Sequence, residues 1–260
     1  MSDIASRFSL QDKVIVLTGG AGLYGRGLAH DLAATGSQLV IASRNIEALQ
    51  KVADEETAAG LRVTAMQLDQ GDEASVKKLR DDVLAKFGRI DGLVNNAVAR
   101  PMKSPDHVEG WIESMRVNAT GLHLVTHILG HAMSPGGSVV NIGSIQGMIG
   151  PSFELYSGTN MGSPPPDYFF HKGGMINLTR HYASVYGPRK VRVNVVSPGG
   201  IYNPEKPQPE PFLGRYSSMT MLGRMARADE IGGAVVFLLS AAASYVTGVN
   251  LPVDGGYTAK

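Results

Sequence analysis

The sequence predicts a single-domain, doubly wound α/β fold: a seven-stranded, mostly parallel sheet with helices on both faces. Three observations predict it. Short β-branched runs alternate with longer amphipathic stretches along 260 residues. The runs are apolar throughout, as strands are when both faces of a parallel sheet are covered. No linker, low-complexity run or repeat divides the chain, whose length suits one large domain spanning 1–260.

The strands are expected over residues 14–17, 39–41, 63–68, 93–94, 138–142, 191–196 and 249–251. Helices are expected over 25–35, 45–59 and 73–87, closed by Gly36, Gly60 and Gly88, since glycine best takes the left-handed turn after a helix. Strand–helix–strand units in this order wind right-handed into one sheet. Two proline-rich stretches break the rhythm: 145–167, with Pro164, Pro165 and Pro166, and 199–222, with Pro204, Pro207, Pro209 and Pro211. Each follows a strand and so projects from the carboxyl edge of the sheet, where open α/β folds bind ligands. We expect both to be substrate loops.

A formal net charge of +1 argues against a dedicated nucleic-acid or membrane-surface binder. The absence of cysteine removes disulfides and thiolate metal sites and fits a cytoplasmic enzyme. No apolar run has the length of a signal peptide or of a membrane span. His123, His127 and His131 recur every fourth residue on one helical face. No acidic residue shares their stripe, so the expectation is a packing or subunit-contact face and no metal.

After the first strand comes Thr18-Gly19-Gly20-Ala21-Gly22-Leu23-Tyr24-Gly25. Gly20, Gly22 and Gly25 satisfy G-x-G-x-x-G at a strand-to-helix turn, the arrangement that lets a backbone approach a pyrophosphate and offers it free helix N–H groups. The second strand ends in Ser43-Arg44 where an acidic residue would hold the 2′-hydroxyl of NAD. Arginine suits a 2′-phosphate, so the sequence favours NADP(H) over NAD(H).

Tyr168 and Lys172 stand four residues apart on an expected helix and so share a face. A free phenol titrates near ~10. A neighbouring ammonium favours the phenolate, which makes the pair a sensible unit for moving a proton on or off a hydroxyl. Ser144, at the end of the fifth strand, is placed to hold a substrate oxygen or to cap a turn.

These pieces resemble the short-chain dehydrogenase/reductase family, a Rossmann-type fold, along nearly the whole chain. They occur in the family's order: Thr18-Gly19 with Gly25, Asp69, Asn95-Asn96-Ala97, Asn118, Ser144, Tyr168 with Lys172, Ser197-Pro198-Gly199, and Val253-Asp254-Gly255-Gly256. The resemblance implies an NAD(P)(H)-dependent oxidoreductase that interconverts a secondary alcohol and a ketone. Its tetrad would be Asn118, Ser144, Tyr168 and Lys172. Tyr168 would be the acid/base, Ser144 would hold the reacting oxygen, Lys172 would support the phenolate and the nicotinamide ribose, and Asn118 would support a water relay. It also implies Asp69 by the adenine, Asn95 by the cofactor ribose and Ile201 by the nicotinamide amide. Thr18, Gly19, Gly22, Leu23, Tyr24, Gly25, Ser43, Arg44, Gln70, Ala97, Pro198 and Gly199 complete the expected cofactor contacts. Such enzymes are homo-oligomers, dimers or tetramers, with small-molecule substrates.

Three departures matter. Leu23 and Val98 stand where the family has glycine, and Ser144 and Tyr168 are 24 residues apart, about twice the family's interval. The usual interval lands on Tyr156, but Asn160 stands four residues later and brings no charge. The text from Tyr156 to Pro164 resembles a bacterial subgroup linked to flagellin and surface-glycan biosynthesis, which implies a polar, sugar-like substrate. Two other readings stay open: an idle cofactor-binding scaffold or regulator, and a nucleotide-sugar epimerase or dehydratase. The latter usually carries a larger carboxyl-terminal substrate domain. Lys206, Arg215 and Arg224 are candidate contacts for an anionic substrate. Phe212, Tyr216, Met219 and Met221 are either a lid over the cofactor or a helix docked on the core.

Overall fold

The β-branched runs line up side by side in one sheet, in the order β3-β2-β1-β4-β5-β6-β7, every neighbour parallel. This computed structural model describes residues 3–260. The strands are β1 Val14–Thr18, β2 Gln38–Ser43, β3 Val63–Gln67, β4 Gly92–Asn95, β5 Ser138–Ile142, β6 Arg192–Pro198 and β7 Asn250–Val253. The expected antiparallel allowance is not used: the sheet is wholly parallel.

Alternate residues of each strand feed two separate cores, as the two-residue repeat requires. Ile15, Leu17, Leu39 and Ile41 pack with α1 (Leu23–Ala34), α2 (Ile46–Ala58) and α8 (Gly232–Leu239). Val14, Val16, Val40, Val139 and Val193 pack with α3 (Glu73–Phe87), α5 (Gly121–Ala132) and α6 (Pro166–Tyr186). Local chemistry fixes the helix ends. The Asn45 side chain accepts from the Ala48 N–H and starts α2, and that of Asp72 accepts from Ala74 and starts α3. Gly88 ends α3 at φ 74°, as its position in the sequence predicts.

The chain runs outward from β1 to β3, then returns to place β4 on the other side of β1. A crevice opens at that reversal, beyond the carboxyl ends of β1 and β4. The short α4 (Val108–Ser114) and a π-helical turn, Met115–Thr120, carry Asn118 toward it. The loops after β5 and β6 form its far rim. The second contains α7 (Glu210–Met219), whose Phe212 and Tyr216 are buried against Ile145, Leu155, Met225 and Tyr257. This is a docked helix. Only Met221, among the four residues named for a lid, is strongly exposed.

Candidate active site

One cleft of about 1260 Å³ runs across the crevice from the glycine turn to the two loops. Its amino-terminal end is made of backbone. Gly19 has φ +73°, and a Cβ on Gly25 would stand 2.1 Å from the Gly19 carbonyl oxygen, so no larger residue fits where α1 meets the turn. No side chain caps α1, which leaves its first N–H groups turned toward the cleft mouth. Leu23, the first departure, causes no crowding: it is 44% exposed and lines the cleft as the first residue of α1. Ala21, Gly22 and Tyr24 line the same wall. Ser43, Arg44, Asp69 and Gln70 line the end of the cleft beyond β2 and β3. Asp69 accepts from the Gly71 N–H at 2.9 Å and lies 3.7 Å from Arg116.

The other end is built from side chains. Tyr168 and Lys172 come from the first two turns of α6, which Pro166 opens in its first turn. The Lys172 Nζ lies 5.8 Å from the centre of the Tyr168 ring and donates to the Ile142 carbonyl at 2.5 Å. Burial and then the charge of Arg100 pull the Lys172 pKa down to about 7. His171, beside it, is buried with neither ring nitrogen hydrogen-bonded among the described residues, and its ring edge meets Tyr168 at 5.2 Å. Burial, then Lys172 and Arg100, hold its pKa at about 3, so it is a neutral plate behind the phenol. Arg100 lies over the opposite part of the site, its guanidinium carbon 4.7 Å from the Tyr168 ring centre.

Asn118 is buried, and its amide brackets Ala99: its Oδ1 accepts from the Ala99 N–H and its Nδ2 donates to the Ala99 carbonyl, both at 2.8 Å. The same Nδ2 donates to the Ser114 hydroxyl at 3.0 Å, which donates to Asp167 at 2.5 Å. A chain of polar contacts thus joins the cleft wall before Arg100 to the residue preceding Tyr168. Ile142 and Gly143 line the cleft, and Ser144 follows them, 9% exposed, its Oγ accepting from the Gln146 N–H at 3.2 Å. Ser144 itself is not among the residues that line the cleft, and of its two expected roles the structure shows the cap. Tyr156 packs against Phe212, ring centres 5.3 Å apart and the rings tilted by 55°, and does not line the cleft. Burial raises its pKa, against the role of a base.

Several expected cofactor contacts lie elsewhere. Asn95 ends β4 with its side chain turned into the fold, its Nδ2 donating to Thr126 at 3.0 Å and to Asn141 at 2.8 Å. Side chains alternate across a strand end, so Asn96, not Asn95, faces the cleft. Thr18 is buried and accepts from the N–H groups of Asn96 and Ala97 at 3.0 Å, tying β1 to β4 beneath the turn. Gly199 receives the Tyr24 hydroxyl on its carbonyl at 3.3 Å, and neither it nor Pro198 lines the main cleft, whereas Ala97 and Ile201 do. Of the three cations named for an anionic substrate, only Lys206 lines the cleft. Arg215 holds the carbonyls of Glu154 and Ser157, and Arg224 pairs with Glu230 at 2.7 Å. Val98, 40% exposed, lines the cleft wall. The residues sequence reasoning missed are Asn96, Arg100, Asn160 and Met161. For Arg100, only its place just after the Asn-Asn-Ala segment pointed to the cleft. His123, His127 and His131 form an exposed stripe on α5. No group of three or more potential metal-binding side chains occurs among the described residues.

The family model described as enoyl-(acyl carrier protein) reductase matches residues 22–258. The cis-4-hydroxycyclohexanecarboxylate dehydrogenase of Sinomonas cyclohexanicum is 37% identical over 95% of this chain and 97% of its own. The meso-2,3-butanediol dehydrogenase of Serratia marcescens is 32% identical over 95% of each. The crystal structure of a gluconate 5-dehydrogenase from Burkholderia cenocepacia J2315, in complex with NADP and tartrate, superposes with a TM-score of 0.89 at 28% identity, covering 99% of this chain and 100% of the other. With its order of motifs, its seven-stranded parallel sheet and these matches along its length, the chain belongs to the short-chain dehydrogenase/reductase family.

Proposed function

We propose that the protein interconverts a small secondary alcohol and its ketone with a nicotinamide dinucleotide, with Tyr168 as acid/base. One observation carries this reading: a phenol and a buried lysine on one face of α6 open into the cleft that begins at the glycine turn. The missing side chain at Gly25 lets the Gly19 carbonyl close on α1 and keeps the turn tight, with the uncapped N–H groups of α1 left to meet a pyrophosphate. Gly19, Gly22, Leu23 and Gly25 would hold it, with Ser43, Arg44, Asp69 and Gln70 around the adenosine and Ala97, Lys172 and Ile201 toward the nicotinamide. The dinucleotide supplies the hydride acceptor or donor when bound. In the oxidation direction the Tyr168 phenolate takes the hydroxyl proton of the substrate. Lys172 stabilises that phenolate as a neighbouring cation, and Ser144 donates a hydrogen bond to the reacting oxygen. Asn118 fixes the wall at Ala99 that faces them.

Arg44 makes no ion pair or side-chain hydrogen bond among the described residues and is free to meet a 2′-phosphate, which supports NADP(H) over NAD(H). The relatives named above take their names from a cyclic hydroxy acid, a diol and a sugar acid. None is linked by name to flagellin or surface glycans, so the substrate proposed is a small cyclic alcohol, diol or polyol. The exposed histidine stripe of α5 and the Trp111–Phe170 pair, 5.4 Å apart, support self-association as a dimer or tetramer. Cytoplasmic residence is the expectation of the cysteine-free composition. No helix among the described residues is long and apolar enough to cross a membrane.

The test is a screen of cyclohexanols, vicinal diols and polyols, and of their ketones, with both cofactors, followed at the reduced-nicotinamide absorbance. Turnover of at least one class with NADP(H) as the better cofactor is expected. Tight cofactor binding with no turnover across the panel would leave the idle scaffold as the better description.

A further inference from the structure

Arg100 makes no ion pair and no side-chain hydrogen bond among the described residues, and its guanidinium lies over the ring of Tyr168. Its guanidinium carbon is 4.7 Å from the centre of the Tyr168 ring, and it lines the same cleft. Most arginines of this chain are spent. Arg26, Arg62, Arg80, Arg89, Arg116, Arg224 and Arg227 pair with carboxylates, and Arg189, Arg192 and Arg215 donate to backbone carbonyls. The two arginines that line the cleft, Arg44 and Arg100, make no ion pair and no side-chain hydrogen bond among the described residues. They stand at opposite ends. Arg44 has an anion to meet in the cofactor, and Arg100 has none.

The charge around Arg100 is one-sided. Lys172 and Lys206 line the same end of the cleft, and His171, behind Tyr168, is neutral. The one acidic residue among those lining the cleft, Asp69, lies at the adenosine end and is engaged by Gly71 and Arg116. Asp167 is buried behind the site and holds the Ser114 hydroxyl. Arg100 is itself exposed, and its charge acts after burial against protonation of Lys172 and His171. The backbone before Arg100 is held in place, because Asn118 grips both the N–H and the carbonyl of Ala99. A guanidinium presented from a fixed backbone is suited to two parallel hydrogen bonds to a carboxylate.

We infer that the substrate is a small hydroxy acid and the product its keto acid: Arg100 holds the carboxylate, with Lys206 on the rim, a few bonds from the carbinol that faces Tyr168. This deepens the reading of Tyr168 as acid/base and rests on it. In the oxidation direction the carbinol C–H electron pair leaves as hydride to the oxidised dinucleotide, the hydroxyl proton goes to Tyr168, and the carboxylate is unchanged.

The test uses hydroxycyclohexanecarboxylate and hydroxybutyrate, each beside its uncharged primary amide. Turnover with NADP(H) and calorimetric binding to the protein–NADP⁺ complex are both measured, for wild type, Arg100→Gln and Tyr168→Phe. Wild type is expected to favour acid over amide by about 10- to 100-fold, the worth of one charged hydrogen-bonded pair. In Arg100→Gln that ratio should collapse toward one, with the affinity for NADP⁺ alone shifted less than about twofold on the same scale. In Tyr168→Phe the preference should persist in binding while turnover is lost. An equal ratio in wild type and Arg100→Gln, no preference for acid in wild type, or a loss of NADP⁺ affinity in Arg100→Gln in place of the acid preference would each overturn the inference. Absence of turnover on every compound would instead sink the dehydrogenase reading, and the acid-to-amide ratio in binding would still decide the role of Arg100.

Discussion

The two ends of the cleft are built by different means. At the glycine turn the wall is backbone, and at Gly25 it tolerates no side chain: a Cβ there would collide with the Gly19 carbonyl at 2.1 Å. At the Tyr168 end the wall is side chains drawn from α6 and the loops after β4, β5 and β6, among them Arg100, which makes no ion pair among the described residues and lies over the Tyr168 ring. Backbone surfaces recognise what all dinucleotides share. Side-chain surfaces recognise what distinguishes one substrate from another, and they can change while the sheet stays as it is.

The largest expected effect separates these two roles within one residue pair. Tyr168→Phe should lower kcat by about 10²- to 10⁴-fold, the usual worth of a positioned acid/base, while calorimetric affinity for the dinucleotide stays nearly constant. Tyr156→Phe should change kcat far less, because Tyr156 packs on Phe212 outside the cleft. A Tyr156→Phe variant as impaired as Tyr168→Phe would move the chemistry to the first loop and break the comparison.

The backbone end is tested by glycine. Gly25→Ala should weaken dinucleotide binding by at least about 100-fold or unfold α1, since overpacking against rigid backbone costs roughly 1–3 kcal/mol or more. Gly22→Ala should be tolerated in folding and shift affinity only modestly, because its added Cβ would meet the Gly19 carbonyl at 3.4 Å. Circular dichroism and cofactor titration distinguish the two. Equal damage from both substitutions would mean that the turn is not read by backbone contact as proposed.

This difference explains how much was legible in the sequence. The glycine turn, the strands and α3 could be placed because they depend on residues close together: glycine spacing, β-branched runs, and a cap such as Asp72 with Gly88. That Tyr168 and Lys172 share one face of a helix was legible for the same reason, since one helical turn joins them. That the side chains of Asn95 and Thr18 face the sheet interior was not legible, because an offset of one residue at a strand end decides whether a side chain faces the cleft or the fold. Arg100 was missed because only its place just after the Asn-Asn-Ala segment pointed to the cleft. Its meeting with Tyr168 exists only once β4 and α6 have come together across the sheet. The polar chain from Asp167 through Ser114 to Asn118 is hidden in the same way.

The catalytic end should also carry a cost in stability that the backbone end does not. The pKa of Lys172 in the folded protein, about 7, lies below its ordinary 10.5. The unfolded chain therefore binds more protons between those values, and stability rises with pH across that window. The penalty is fully present below about pH 7 and fades toward pH 10. Lys172→Met should abolish turnover yet gain roughly 1–3 kcal/mol in urea unfolding at pH 7, less than the shift alone implies because Ile142 loses its hydrogen bond. The gain should vanish near pH 10. His171, held at about 3, makes both proteins less stable as pH falls through its unfolded value of 6.5, so the comparison belongs at pH 7 and above. A variant less stable than wild type at pH 7 would show that the lysine is not buried at a loss.

The smallest expected effect is the one that asks whether the adenosine end reads anything through a side chain. Arg44 is exposed, unpaired among the described residues and set at the end of β2 beside Ser43. If it meets a 2′-phosphate, Arg44→Ala should raise the KM for NADP by about tenfold and leave that for NAD within about twofold, the worth of one solvent-accessible charged contact. The effect should shrink as salt rises, because exposed charges are screened within about 10 Å at 0.1 M ionic strength. The same substitution should leave the acid-over-amide preference untouched, since Arg44 and Arg100 serve opposite ends of the cleft. A preference for NADP that survives Arg44→Ala at low salt would mean that the cofactor is chosen elsewhere. In that case the adenosine end, like the glycine turn, would be read by backbone alone.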